Sequence, residues 1–152
     1  MTLEKRDYNG SEPRVDGYYY KDYPNTRRFY FLWRNGVLYE TLLTLSEVEN
    51  IELEFRTGER DKSIQSRKRG WGLFNINNNS ILTEKWGSSP RNFSTFHYTS
   101  LIDGIILNDT TFVLRERFGS KNKNDISDNE FIDTFRFRQL TPKPDSTNNY
   151  TN

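Results

Sequence analysis

The run that most constrains the fold is Arg28-Phe29-Tyr30-Phe31-Leu32-Trp33-Arg34-Asn35-Gly36-Val37-Leu38-Tyr39-Glu40-Thr41-Leu42-Leu43. Asn-Gly supplies the two positive-φ positions of a type I′ turn, and the flanking residues suit pleated strands. The run predicts a β-hairpin. A type I′ turn at Asn35-Gly36 would set Trp33 against Leu38, Phe31 against Glu40 and Phe29 against Leu42, with Tyr30, Leu32, Val37, Tyr39 and Leu43 on the opposite face.

The rest of the chain repeats the alternation of strand and turn. Asp16-Gly17-Tyr18-Tyr19-Tyr20 opens a first strand, and Asp22 to Thr26, with Pro24, reads as a loop or an edge. Trp71 to Ile76 and Ile81 to Trp86 flank Asn77-Asn78-Asn79, where Asn tolerates left-handed geometry, so a second hairpin is expected. Gly87 to Arg91 reads as the next turn, Phe93 to Leu107 as a long strand bent at Gly104, and Asn108-Asp109 as a turn. Thr110 to Phe118 and Phe131 to Leu140 are the last strands, joined by a polar loop from Ser120 to Glu130. Ser46 to Arg69 carries two patterns. Ser46 and Glu49 form a capping-box pattern with Val48, Ile51 and Phe55 at helical spacing, whereas Ile51-Glu52-Leu53-Glu54-Phe55-Arg56 alternates with period two. Its length and the break at Gly58 favour a short strand, or one helical turn leading into it, with a charged loop over 57–69.

About eight strands in succession, mostly joined by short turns, predict an all-β fold: a single antiparallel up-and-down β-barrel, with a two-sheet β-sandwich as the alternative. Closure into a barrel removes exposed sheet edges. The domain is expected over 16–141, after a flexible N-terminal segment (1–15) and before a polar C-terminal tail (142–152) that shows no packing signal. A hydrophobic share of 33% and a mean hydropathy of −0.92 would by themselves lean toward disorder. Eleven Phe, nine Tyr and three Trp reverse that reading, since each ring can bury ~150–250 Å².

Both faces of the Asn35-Gly36 hairpin are apolar, so cover is expected on both sides, from the barrel interior and from the 46–69 segment. In the later strands Phe112, Leu114, Glu116 and Phe118 share one face, and so do Phe131, Asp133, Phe135 and Phe137, with arginines opposite. Glu40, Glu116 and Asp133 therefore fall on aromatic faces. A carboxylate buried there must be paired, protonated or wet, and a polar patch in an aromatic cavity is the usual anatomy of a small-molecule pocket.

Composition removes many activities. Twenty-two Lys and Arg against 21 Asp and Glu, net +1, argue against a duplex nucleic-acid binder. Arg67-Lys68-Arg69 beside Trp71 is a short basic cluster that reads as a solvated loop. Without Cys there is no disulfide framework or thiol nucleophile, and a single His, His97, rules out a multi-histidine metal site. No P-loop, dinucleotide fingerprint or nucleophile elbow supports His97 or Asp103 as catalytic. The acidic residues Asp125, Asp128 and Glu130 lack the spacing and glycine of a calcium loop. No catalytic residue, metal or cofactor is expected. No apolar run approaches the length of a membrane-spanning helix. Met1 to Asp7 has no signal-peptide character, which fits either a cytosolic protein or a mature region after removal of an export signal. The Asn-x-Ser/Thr sequons at Asn9, Asn78, Asn92, Asn108 and Asn149 are of the frequency expected by chance in an Asn-rich chain.

The layout also resembles a family. Gly17-Tyr18-Tyr19-Tyr20 opens the barrel, an Asn-Gly hairpin follows, and Gly72-Leu73-Phe74-Asn75-Ile76-Asn77-Asn78-Asn79-Ser80-Ile81 has the form G-x-F-x-I-x-x-N-x-I. Asp103-Gly104-Ile105-Ile106-Leu107-Asn108-Asp109 leads into a strand, and the end is Lys143-Pro144-Asp145-Ser146-Thr147. Over residues 16–147 the chain resembles the small lipocalin-like proteins of Bacteroidetes, many of them exported or lipid-anchored. It departs from true lipocalins where Tyr19 stands in place of the Trp of their Gly-x-Trp. The resemblance implies an eight-stranded lipocalin-like barrel and an extracytoplasmic (periplasmic, secreted or cell-surface) bacterial protein, and carries no functional residue over.

The expectation is a non-enzymatic protein binding a small, largely apolar ligand in an aromatic-lined barrel. Phe29, Phe31, Trp33, Phe112, Phe135 and Phe137 are the expected walls, with Glu40 and Glu116 as polar contacts. Eight strands leave room for a packed core or for one small ligand. The alternative is a filled-core module binding protein or glycan through exposed Tyr18, Tyr20, Tyr30 and Tyr39.

Overall fold

A computed structural model describes residues 1–91, 94–117 and 130–151. Eight strands, β1 (Gly17–Asp22), β2 (Thr26–Leu32), β3 (Val37–Thr44), β4 (Trp71–Asn77), β5 (Ser80–Arg91), β6 (Ser94–Asn108), β7 (Thr111–Arg117) and β8 (Glu130–Gln139), follow one another around a closed antiparallel barrel. Tyr19 opposite Phe137 seals β1 to β8, so the barrel stands and the sandwich alternative falls. Two helices, α1 (Leu45–Thr57) and α2 (Asp61–Gln65), lie between β3 and β4. None of the helices described is long and apolar enough to cross a membrane.

The Asn35-Gly36 hairpin forms, with a register one residue away from that of a type I′ turn. Leu32 faces Leu38 and Tyr30 faces Glu40. Trp33 N–H donates to the Val37 carbonyl at 2.9 Å and Gly36 N–H to the Trp33 carbonyl at 3.0 Å, with Gly36 at φ +75°. The connection is thus a longer loop closed by a left-handed Gly, the turn-plus-bulge alternative to the two-residue turn. Only Gly fits there, because a Cβ would collide with the Arg6 carbonyl oxygen. Since side chains alternate with period two, this one-residue offset turns β2 over relative to β3, whose Leu38 and Glu40 keep the inward side. Tyr30, Leu32 and Leu38 point inward, and Phe29, Phe31 and Trp33, expected inside, point outward.

Both faces are nonetheless covered. Inside the barrel, Tyr19, Tyr30, Leu32, Leu38, Phe74, Ile81, Phe112, Leu114 and Phe135 form one buried cluster. Outside it, Tyr18, Phe29, Phe31, Val37, Tyr39, Trp71 and Leu73 form a second, beneath Ile51 and Phe55 of α1 and Ile64 of α2. The strand expected over Ile51–Arg56 is therefore helix. Thr44 N–H and Oγ1 both bond Glu47 Oε2, at 2.9 and 2.8 Å, which places the capping box two residues before the Ser46–Glu49 pattern. Gly58 at φ +73° ends the helix. The helical spacing of Ile51 and Phe55 wins because the outer aromatic face of β2–β3 needs an apolar cover. Glu52 docks the helix, accepting from the Tyr18 hydroxyl at 2.5 Å and pairing with Arg138 at 2.9 Å. Asp61 to Gln65, expected as charged loop, forms α2.

The other hairpins follow expectation more closely. β4 and β5 meet across Asn78-Asn79, with Asn78 at φ +53°. The turn expected at Gly87–Arg91 is instead strand: β5 and β6 stay paired out to Arg91 and Ser94, forming a long arm.

Both termini, expected to be loose, pack. Tyr8 is buried against Phe74, its N–H donating to the Arg34 carbonyl at 2.6 Å, while Arg14 N–H donates to the Asp109 carbonyl at 2.9 Å. These contacts close the barrel end that carries the β2–β3 and β6–β7 turns. The amides of Thr2 and Leu3 bind the Glu84 carboxylate at 2.6 and 2.7 Å. In the C-terminal tail, the Pro144 carbonyl accepts from Trp33 Nε1 at 2.9 Å and the Tyr150 hydroxyl donates to the Ser66 carbonyl at 3.0 Å. Lys143 reaches the carbonyls of Val15 (2.8 Å) and Leu32 and lies 4.6 Å from the Trp33 ring centre.

Candidate ligand site

The other end of the barrel is different. β3 pairs with β4 only over Val37 to Tyr39, opposite Trp71 to Leu73, because the chain leaves β3 into the helices and returns at Gly70. Above that short ladder Thr41 and Leu42 stand apart from β5, and a cleft of about 800 Å³ opens there. Arg28, Glu40 and Lys85 form its floor, and Leu42, Trp86, Tyr98 and Leu101 are among its walls, with Arg67 and Arg69 at the rim.

The floor is an ion-pair network at the top of the aromatic core. Arg28 Nε bonds Glu40 Oε1 at 2.9 Å, and its Nη1 lies 3.4 Å from Asp133 Oδ2. Lys85 Nζ pairs with the other Glu40 oxygen and donates to the Tyr30 hydroxyl at 3.3 Å, while that hydroxyl donates to Glu40 at 3.3 Å. The side chains of Arg28, Glu40, Lys85 and Asp133 are only 11–14% exposed. Charges this sheltered persist only when paired. Tyr23 donates to Asp133, and burial, together with that bond, pushes its hydroxyl up to about 12. Register explains the assembly: Arg28, Tyr30, Glu40 and Lys85 all fall on inward positions of β2, β3 and β5.

Beneath the network the barrel is occupied by rings. Tyr30 packs on Phe135 at 4.9 Å between centres, Phe135 on Phe112 at 5.2 Å, and Phe112 on Tyr19 at 4.6 Å. Phe112 and Phe135, expected as walls, face inward and are fully buried in this core. Phe137 also faces inward but sits toward the closed end, 5.3 Å from Tyr19 and under the Arg14 guanidinium. Phe29, Phe31 and Trp33 do not join them: Trp33 stacks on Trp71 at 5.7 Å, outside the barrel. Glu40 is at the cleft floor. The backbone of Glu116 pairs with Phe131 in the β7–β8 ladder, and its side chain lies outside the described residues.

Of the tyrosines expected to be exposed, Tyr18, Tyr30 and Tyr39 are buried and Tyr20 is half-buried. This removes the Tyr-rich surface of the alternative expectation. The cations Arg28 and Lys85 are the residues missed from sequence; placing Arg28 on the face of Glu40 needs the longer hairpin loop. Arg67 and Arg69, read as solvated, do stand at the surface, but at the mouth of the cleft.

His97 and Asp103 are both exposed, on the outward side of β6 and about 20 Å apart at the usual rise per residue. Among the described residues no group of acidic or histidine side chains is arranged to hold a metal. The stretch holding Asp125 and Asp128, and the side chain of Glu130, lie outside the described residues. No family model, curated protein or solved structure matches the chain.

Proposed function

We propose that this barrel is a non-enzymatic binding protein that holds a small molecule in the cleft at its open end. The observation that carries the reading is a half-enclosed space of about 800 Å³ set on a rigid aromatic core, with a few convergent polar groups at its floor. A site of this size and anatomy is what drug-sized ligands occupy. The ligand's apolar part meets the cleft at Leu42 and Tyr98 rather than the ring-filled interior. The resemblance to exported Bacteroidetes barrels supports, as part of the same proposal, a place outside the cytoplasm.

Native mass spectrometry of the purified protein against its denatured mass, combined with a thermal-shift screen of small molecules, tests the reading. The expected result is a saturable adduct or stabilisation that disappears in Ser100→Trp, where a bulky ring enters the cleft from the inward position opposite Lys85, while the melting temperature of the ligand-free protein is kept. Binding that is unaltered by Ser100→Trp would overturn it.

A further inference from the structure

The charges of the cleft are not evenly compensated, and their arrangement points to a ligand class. At the floor, Glu40 pairs with both Arg28 and Lys85, and Arg28 also faces Asp133, so these two cations are held by carboxylates. At the rim, Arg67 and Arg69 are exposed and make no ion pair among the described residues. Lys68, between them in sequence, lies over the Trp86 ring at 3.6 Å.

The backbone under these residues is fixed on both sides. Arg67 N–H donates to the Ile64 carbonyl at 3.2 Å, Gly70 N–H to the Trp86 carbonyl at 2.9 Å, and the Gly70 carbonyl accepts from Glu40 N–H at 2.9 Å. Gly70 holds φ +94° where a Cβ would strike the Glu40 carbonyl. Two guanidinium groups on an anchored segment, in a cleft also lined by Leu42 and Tyr98, form a matched pair of surfaces. One is suited to anionic oxygens, which a guanidinium can bind with two parallel hydrogen bonds; the other is suited to a flat apolar body.

Resting on the small-molecule reading of this cleft, we infer that its ligand is an organic anion: an acidic oxygen group held by Arg67 and Arg69, joined to an apolar body lying against Tyr98 and Leu42.

Two fluorescent probes that share one aromatic body test this: anilinonaphthalene sulfonate, which is anionic, and N-phenylnaphthylamine, which is neutral. Titrations into the full-length protein should show the sulfonate binding roughly tenfold tighter than the amine, the scale of a pair of exposed charge-assisted contacts. The advantage should shrink with added salt and vanish in Arg67→Gln/Arg69→Gln, and Ser100→Trp should lose both probes. Equal affinity for the two probes, or a sulfonate preference that survives the double Gln variant, overturns the anion inference and leaves the cleft reading standing. Absence of binding by either probe, or binding of both that survives Ser100→Trp, overturns the cleft reading and the inference with it.

Discussion

Glu40 is the hinge of the floor network, and replacing it with Leu separates two views of that network. If the carboxylate is a misplaced charge in an apolar barrel, Leu should stabilise. The geometry gives the opposite sign, because Glu40 stands between Arg28 at 2.9 Å and Lys85, with Tyr30 bonded to it as well. Removing one member of a buried ion pair costs roughly 3–5 kcal/mol, chiefly because the partner's charge keeps its desolvation cost without its compensation. Arg28 retains Asp133, the cleft admits water to these side chains, and the introduced Leu recovers ~1 kcal/mol of burial, leaving a net loss of about 2 kcal/mol. At this chain length that corresponds to a fall of about 4–8 °C in melting temperature. Glu40→Leu/Lys85→Met removes both members of one ion pair while Arg28 still faces Asp133, and should regain part of the loss. Urea unfolding followed by tryptophan fluorescence, run on the wild type, both single variants and the double variant, measures the coupling directly. Strict additivity of the two single variants, or a Glu40→Leu protein at least as stable as wild type, would refute the account of the floor as mutually compensating charges.

Core position should dominate over ring type: Phe112→Ala, fully buried between Tyr19 and Phe135, should lose about 3–5 kcal/mol in the same assay, while Phe96→Ala, 52% exposed on the β5–β6 arm, should stay within about 0.5 kcal/mol. Burial drives Lys143 down to about 7, with Asp16 opposing, while the unfolded chain titrates near its ordinary value of 10.5. The unfolded state therefore binds more protons between these values, so Lys143 makes stability rise with pH from about 7 toward 10.5. Urea midpoints across that range should rise more steeply in wild type than in Lys143→Met, and equal slopes would exclude the effect. Thr44→Ala removes half of the capping box of α1 and should cost ~1 kcal/mol, with far-UV dichroism reporting a shorter helix.

Strand identity was legible because it is local: Asn35-Gly36 and the aromatic runs around it specify a hairpin, and short turns repeated along the chain specify a barrel. Facing was not. The Asn-Gly pair fits a two-residue turn, whereas Gly36 alone takes the left-handed position here, and one added loop residue exchanges inside for outside. Hydropathy gave no correction, since Phe29, Phe31 and Trp33 on one face are matched by Tyr30, Leu32 and Leu38 on the other, and each face has its own cover. The helix over Leu45–Thr57 was obscured for a related reason. Ile51-Glu52-Leu53-Glu54-Phe55-Arg56 satisfies both periods, and the exposed outer sheet that decides between them exists only once the barrel has closed. For the cleft, Glu40 and Asp133 were visible as carboxylates on aromatic faces. Their partners were not, because Arg28 and Lys85 are 57 positions apart in the numbering, and Arg28 meets Asp133 only through closure of β1 against β8.

The helical excursion between β3 and β4 accounts for both unusual features of this barrel. A strand that passed directly by a short turn from Thr44 into β4 would pair along its whole length, and the wall would be continuous. Instead the chain departs at Leu45, lays Ile51, Phe55 and Ile64 over the outer aromatic face, and rejoins the sheet at Gly70, beside Glu40 rather than beside Thr44. The upper part of β3 is thereby left without a neighbour on that side, which opens the cleft. The same return segment carries Arg67 and Arg69 to its rim. Trp71 ties the two consequences together: its ring lies in the outer cluster against Tyr39, its Nε1 donates to the Ile64 carbonyl at 2.8 Å, and its backbone begins β4 at the lower edge of the opening. The outer core that stabilises the helices therefore also sets the position of the arginines, so the rigidity of the rim is a property of packing outside the barrel rather than of the strands that surround the cleft.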